Sequence, residues 1–285
     1  MHFLWKPQHY QPLSERMMLY QLNNNQRRFW QKQGFITLSD FFPSALKEQL
    51  KSWCDELTAL PETPGKWMKY FEKNSHGNRQ LCRLENFIDY HVPMSEIASG
   101  ERTLALVSEL MGETAVIFKE KINYKFPGGG GFKPHQDAPA FVSFNQKFHI
   151  TMMVAIDDCT LENGCLQVVK GGANNPVILP QEVDGSIQKS IAETLVWSPI
   201  ECASGDVILF DSYLPHYSEP NRSNNSRRAM FVTFNKFSEG GSKREAYYMD
   251  KREKFPPDCE RDPGKDYSAG AAIYNVANPI TPMMK

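Results

Sequence analysis

The sequence predicts a mainly β protein with flanking helices, an antiparallel barrel or sandwich backed by a helical N-terminal third. Three observations predict it. Near Ala115 the helix-like apolar spacing gives way to short runs rich in β-branched and aromatic residues, Gly and Asn turns separate those runs, and no internal repeat or low-complexity segment interrupts them. Hydrophobic residues at 41% and charged residues at 23% supply an ordinary core and exclude disordered and fibrous classes. A net charge of -1 gives no global field for nucleic acid or an anionic membrane. The 6 cysteines show no C-x-x-C spacing and read as reduced thiols, not as a zinc ribbon or a disulfide framework. With no leader-like apolar region and no stretch long enough to span a bilayer, a soluble cytoplasmic protein acting on a small molecule is expected, with neither nucleic acid nor membrane as partner.

Taken in order, residues 11–60 read as helical. Ser14 offers a first cap, and Phe29, Trp30, Phe35 and Ile36 form an apolar stretch broken by Gly34. Asp40 and Ser44 offer caps for a helix from Ala45 to Leu60, in which Leu46, Leu50, Trp53, Leu57 and Leu60 recur at helical spacing. Residues 61–79 hold Pro61, Pro64, Gly65, Asn74, Gly77 and Asn78 around Trp67, Tyr70 and Phe71, which predicts a surface or lid loop. A second helix is expected over 101–111, stopped by Gly112. The strand from Ala115 sets Lys119, Lys121, Asn123 and Lys125 on one face and Phe118, Ile122, Tyr124 and Phe126 on the other. A polar inward face suits a site better than a core.

Further strands are expected over 148–158, with His149, Thr151, Met153 and Ala155 on one face, at LQVV after the ENGC turn, near TLVWSPI, at DVILF, and over 227–237. One domain spans 1–285 in this reading: 1–112 mostly helical, 113–237 the β core, and 238–285 a tail over the barrel mouth.

The stretch GGGGFKPHQDAPAF, 128–141, carries the chemistry. If His135, Gln136 and Asp137 are extended, His135 and Asp137 share a face and can share a metal ion. His216 follows strand DVILF and Pro215, a position at a loop mouth. Two His and one carboxylate form the facial triad that leaves open positions on non-haem Fe(II). Arg227 points with Ala229, Phe231 and Thr233 while Arg228 points away, although a register slip of a single residue exchanges them. If the open positions hold 2-oxoglutarate by its keto acid end, an arginine fork suits the distal carboxylate, and Ser218 adds a hydroxyl. The glycine run is permissive enough for a mobile entrance strand beside the metal.

The segments FWQKQGFITLSDFF, INYKFPGGGGFKPHQD, ENGCLQVVKGG, GDVILFDSYLPHYSEPN and RRAMFVTFN, spread from Phe29 to Phe237, resemble the phytanoyl-CoA dioxygenase family of Fe(II)- and 2-oxoglutarate-dependent oxygenases. The resemblance implies a double-stranded β-helix, or jelly-roll, of the cupin-like kind. It implies His135, Asp137 and His216 as iron ligands, Arg227 with Ser218 at the 2-oxoglutarate tail, and Gln136, Thr151 and Met153 lining the cosubstrate pocket. O2 is then the oxidant and succinate and CO2 the co-products. Because Asp137 is present, hydroxylation is favoured over halogenation. The tail 240–283, with RLENF and EKINYK, is similar to bacterial members that hydroxylate small polar molecules, including compounds of the 2-aminoethylphosphonate type. Arg83, Lys119, Lys121 and Lys125 would meet an anionic head group, Asn123 and His149 would join them as substrate contacts, and Glu85, Glu120 and aromatic rings would meet an ammonium. A cupin-like isomerase with another divalent metal, or a binding protein, is the alternative, and neither needs the arginine.

Overall fold

A computed structural model of the chain describes residues 12–13, 18–39, 41–171 and 176–282; Ser14 and Asp40, two of the expected helix caps, lie outside these. Helix α1 (Asn24–Gln33) starts at a capping box in which Asn23 accepts the amides of Asn25 and Gln26 while the Gln26 side chain accepts the amide of Asn23. Gly34, at φ 73°, ends it and releases the chain into strand β1 (Phe35–Leu38). The region is therefore not helical throughout. Four residues, Phe-Ile-Thr-Leu, show no period that separates strand from helix, and what decides is the partner strand β9 (Val207–Asp211), with Phe35 opposite Phe210. Helix α2 (Ser44–Ala59) buries Leu46, Leu50, Trp53 and Leu57 as the spacing demands. Ser44 is its first residue and not its cap, a place taken by Pro43 without a side-chain bond.

The expected lid loop is instead a hairpin, β2 (Met68–Lys73) and β3 (Arg79–Glu85). Its turn is fastened by Asn74 Oδ1, which accepts the amides of His76 and Asn78, and Trp67 and Tyr70 are buried. Turn-forming residues crowd both sides of a short strand there and mask its alternation. Helices α3 (Val92–Ser99) and α4 (Glu101–Met111) follow, the second closed by Gly112 at φ 76°.

The remaining elements are β4 (Ala115–Lys125), β5 (Phe132–His135), β6 (His149–Ala155), β7 (Leu166–Val169), α5 (Lys189–Ala192), β8 (Trp197–Ile200), β9, β10 (His216–Ser218), β11 (Arg227–Lys236), α6 (Arg244–Lys254) and α7 (Ser268–Tyr274). They form a 7-stranded sheet in the order β1-β9-β6-β11-β4-β3-β2 and a 4-stranded sheet in the order β5-β10-β7-β8, the two sheets of a jelly-roll. Side-chain alternation gives the large sheet two different faces. Tyr124, Met152, Val154, Leu209 and Met230 point outward and pack with Leu50, Trp53, Met94 and Leu106 of the helices. Met153, Ala155, Ile208, Phe210 and Ala229 point inward and meet Leu166 and Val168 of the small sheet. Truncating a wholly buried helix residue such as Leu50 to Ala costs about 2–5 kcal/mol through lost transfer energy and the cavity left behind. The C-terminal helices close one end, where Tyr247, Tyr248, Phe255 and Tyr274 cluster with Met68, Tyr70, Phe118 and Phe141. Among the described residues no helix is long and apolar enough to cross a membrane.

Candidate active site

Strand β10 runs between β5 and β7, and its register sets His216 directly opposite His135, with ring centroids 4.2 Å apart. The strand ends at His135, so alternation is not what brings Asp137 to the pair. The chain turns into a short 3-10 stretch, Ala138–Phe144, whose first amide donates to Ser212 O at 2.8 Å, and this bend carries the carboxylate back toward the imidazoles. One ligand atom from each of His135, Asp137 and His216 lies within 4.8 Å of the other two. Thr151 Oγ1, on the inner face of β6, donates to Asp137 Oδ2 at 3.3 Å.

The hydrogen bonds also decide which imidazole nitrogens are free. His135 Nδ1 lies 2.7 Å from Lys133 O and His216 Nδ1 lies 2.9 Å from Leu214 O. A carbonyl only accepts, so each Nδ1 carries the proton and each Nε2 keeps its lone pair. Burial holds both rings neutral: it takes His135 down to about 3, with His216 adding to the effect, and it lowers His216 against the pull of Asp137. Burial alone would raise the Asp137 carboxyl, but His216, Lys121 and Lys119 together hold it well below the usual range. Two neutral nitrogens and one anionic oxygen are the protonation state a divalent cation requires, and a donor set with open positions fits iron(II).

Arg227, at the start of β11, pairs in register with Lys125 at the end of β4, and both are almost fully buried between the sheets. Arg227 Nη2 donates to Gly164 O, while its buried Nε finds no acceptor. Lys125 Nζ donates to Ser218 Oγ at 2.8 Å and to the Glu219 carbonyl. Burial and then the neighbouring Arg227 push the Lys125 ammonium well below its ordinary range. Two buried cations with no carboxylate in ion-pair contact among the described residues fit one anionic, two-oxygen group between them, such as a carboxylate. Arg228 faces the other way. Its Nε and Nη2 donate to Asp157 at 2.7 and 2.8 Å, and Nη1 donates to Asp55.

Beyond the triad, Arg83, Lys119 and Lys121 wall a cavity of ≈ 40 Å³, roofed by Tyr247 from α6 and by Tyr274 and Asn278 near the C-terminus. Several sequence-predicted residues sit elsewhere. Lys125 joins Arg227 and not the other lysines. Asn123 reaches the cavity wall only through its Oδ1, which accepts Arg83 Nε at 3.0 Å. Gln136 commits its amide to backbone, donating to Val177 O at 3.0 Å and Tyr213 O at 2.6 Å and accepting from Leu179 N at 2.8 Å. Met153 lies opposite Phe231 on the inner face. His149 bonds Gln146 Oε1 at 2.7 Å, packs against Phe118 and Phe141, and is taken down to about 3 by burial and then Lys119.

Sequence reasoning missed Lys251, Tyr274 and Asn278. Only the aromatic content of the tail pointed to that segment at all. The glycine run is packed closely against its neighbours. A Cβ on Gly129 would lie 2.9 Å from Glu72 Oε1, on Gly130 2.7 Å from Pro279 Cβ, and on Gly131 2.7 Å from Ser218 O. Glu72 Oε2 accepts the Gly130 amide at 2.9 Å, so these glycines serve close packing.

Comparison with known proteins agrees with this geometry. The phytanoyl-CoA dioxygenase (PhyH) family model matches residues 30–229. A 2-aminoethylphosphonate dioxygenase of the uncultured bacterium HF130_AEPn_1 is 55% identical over 90% of this chain and 97% of its own length. A methylphosphonate hydroxylase of Gimesia maris is 38% identical over 82% of this chain and 88% of its own. In fold, the crystal structure of EctD from S. alaskensis superposes with a TM-score of 0.63 at 21% identity, covering 76% of this chain and 77% of that one. The chain belongs to the phytanoyl-CoA dioxygenase family and is a 2-oxoglutarate-dependent dioxygenase that uses iron(II) and O2.

Proposed function

We propose that this enzyme hydroxylates a C–H bond of a small aminophosphonate, with 2-oxoglutarate converted to succinate and CO2. The observation that carries the reading is the convergence of His135, Asp137 and His216 beside the buried cation pair Arg227 and Lys125. The two phosphonate-directed relatives, at 55% and 38% identity, support the substrate class. A metal isomerase or a binding protein has no use for a paired cation behind the ligands, so the arginine argues against both.

His135 and His216, through Nε2, and Asp137 would hold iron(II), which when bound supplies the activation of O2. The Lys133 and Leu214 carbonyls fix the imidazole planes and Thr151 orients the carboxylate. Arg227, with Lys125 and Ser218, anchors the cosubstrate tail, while Thr151 and Met153 stand on the same inner face. Gln136 acts one step back by bracing the 177–179 loop. A cavity of ≈ 40 Å³ offers roughly three water-sized positions beside the triad. We read the chain as a single domain whose tail covers the barrel mouth, working in the cytoplasm with its 6 cysteines as free thiols.

The test is succinate formation by anaerobically purified, iron-loaded protein given O2, 2-oxoglutarate and a panel of small phosphonates, amino acids and acyl-CoA esters. Stimulation by 2-aminoethylphosphonate above the rest is expected. Preference for a fatty acyl-CoA overturns the reading.

A further inference from the structure

We infer that Arg83, Lys119 and Lys121 form a cradle for a doubly charged tetrahedral head group, that Asn278 positions its arginine, and that charge more than shape selects the substrate. The inference rests on the hydroxylase reading above and deepens it.

The three cations stand on the inner face of adjacent strands. Arg83 of β3 is opposite Asn123 of β4, and Lys119 and Lys121 of β4 are opposite Thr233 and Phe231 of β11. Neither lysine has a hydrogen-bond acceptor or an ion-pair partner among the described residues. Lys119 Nζ lies over the rings of Phe141 and Tyr247, at 4.7 and 5.3 Å from their centroids, and Lys121 Nζ lies 5.4 Å from that of Phe231. Aromatic faces stabilise an ammonium, but each ammonium keeps three N–H donors that rings do not satisfy well. Arg83 is held by neutral amides, donating from Nε to Asn123 Oδ1 and from Nη2 to Asn278 Oδ1.

Glu85 does not supply the missing negative charge. Both of its oxygens are taken by Lys251 Nζ at 2.7 Å, and Arg83 Nη1 reaches it only at 3.5 Å. Burial lowers both cradle ammoniums, Lys121 further under the influence of Arg83 and Lys119. The remaining carboxylate of the lining, Asp137, belongs to the metal triad. With Glu85 shared between Lys251 and Arg83, and Asp137 committed to the triad, the two lysines of this small interior cavity lack counter-charge and keep unsatisfied donors, and an anion with three oxygens and two charges answers both deficits. A carboxylate answers neither. A sulfonate has the oxygens with a single charge.

Asn278 gives the cradle its lid-side wall. Its Nδ2 donates to Val276 O at 2.7 Å while its Oδ1 takes Arg83, so one carboxamide ties the guanidinium to the C-terminal segment. That segment is itself pinned by Lys133 N to Ala277 O at 3.0 Å and by Thr281 N to Phe71 O at 2.9 Å.

The experiment uses the iron-loaded enzyme and compares 2-aminoethylphosphonate with its sulfonate isostere, 2-aminoethanesulfonate, at pH 8. Succinate formation gives KM and kcat, and anaerobic perturbation of the visible iron–cosubstrate band gives binding without turnover. In the wild type a KM for the phosphonate at least tenfold below that of the sulfonate is expected. Lys119→Gln and Lys121→Gln should raise the phosphonate KM on the order of tenfold to a hundredfold, as loss of a charge-assisted bond predicts, while narrowing the gap between the two ligands. The intensity of the band with 2-oxoglutarate alone reports whether each variant is folded, and Arg83→Lys, which keeps the charge but loses the fork, is the milder second variant. Asn278→Ala should raise KM severalfold with kcat kept, and Asn278→Gln should recover part of it. Equal use of both isosteres by the wild type, or lysine variants with an unchanged phosphonate KM, overturns the cradle and leaves the hydroxylase reading standing. If no phosphonate stimulates succinate while another small molecule does, the substrate reading beneath it is overturned instead.

Discussion

Arg227 and Arg228 are neighbours in the chain and take opposite sides of β11: Arg227 is sealed between the sheets beside Lys125, and Arg228 is clamped by Asp157 and Asp55 on the helix side. One strand thus separates a buried cation with no carboxylate beside it among the described residues from a cation already neutralised by the protein.

That division predicts unlike phenotypes. Arg227→Ala should weaken 2-oxoglutarate binding on the order of a hundredfold, by analogy with loss of a buried charge-assisted pair. Arg228→Ala should leave that affinity in place and lower stability by roughly 1–3 kcal/mol, because Asp157 loses its partner. Calorimetric titration with 2-oxoglutarate and urea unfolding separate the two, and an Arg228 variant that loses cosubstrate affinity would reverse the assignment.

Replacing Asp137 with Ala removes the anionic donor and leaves two imidazoles that the buried Lys119 and Lys121 face without compensation. The visible band formed by Fe(II) and 2-oxoglutarate under anaerobic conditions should vanish in Asp137→Ala. It should persist, weakened, in Thr151→Val, which removes only the hydroxyl that orients the carboxylate. An unchanged band in Asp137→Ala counts against the triad.

Gly130→Ala should destabilise the fold by about 1–3 kcal/mol, since its Cβ meets Pro279 at 2.7 Å and Glu72 at 2.9 Å. Gly264→Ala, whose nearest neighbour would be Asp262 Oδ1 at 3.4 Å, is the matched comparison and should cost little. Urea midpoints of the pair decide whether the glycine run is close-packed, and equal midpoints would show that it is not.

His91 makes acid stability testable away from the metal ligands. Its Nδ1 accepts the Met94 amide at 3.2 Å as the N-cap of α3, and its Nε2 meets Glu56 at 3.2 Å. Burial takes it down from its ordinary value of 6.5 to about 4 in the folded chain. The unfolded chain therefore takes up the proton first, and the contribution of neutral His91 is full above pH 6.5 and is lost as pH falls toward 4, up to roughly 3 kcal/mol. His91→Asn keeps a capping side chain without the titration, so its stability between pH 6.5 and 4 should fall less steeply than that of the wild type when followed by urea unfolding.

The inner faces of β4, β6 and β11 were legible because long strands with one buried polar face alternate over enough residues to fix a phase. Gly112 was legible as a stop because a left-handed residue after an apolar helix has few other uses. His135 and His216 were legible as a pair for the same reason, each just beyond an apolar or glycine-rich run, although the bend that returns Asp137 was not. Strands β1, β2 and β3 were hidden by brevity and by turn residues on their flanks, and with them the hairpin that delivers Arg83 and Glu85. Lys125 was grouped with Arg83, Lys119 and Lys121 but bonds Ser218 and Glu219 beside Arg227, since alternation gives the face of a residue but not its height along the strand. Asn278 and Lys251 carry no local signal. Asn278 lines the cavity, and Lys251 meets Glu85, only because the last helices fold back across the sheet.

The packing around the glycine run has a consequence for anyone seeking to retarget this enzyme. Gly129, Gly130 and Gly131 leave no room for even a methyl group against Glu72, Pro279 and Ser218, so side-chain diversity cannot be introduced there. By contrast, Ile273, Tyr274, Val276 and Asn278 of the C-terminal stretch line the cavity beside Arg83, Lys119 and Lys121. Libraries that seek longer or differently charged substrates should therefore concentrate on positions 273, 274, 276 and 278, and natural divergence in substrate scope is expected to be written in the same place.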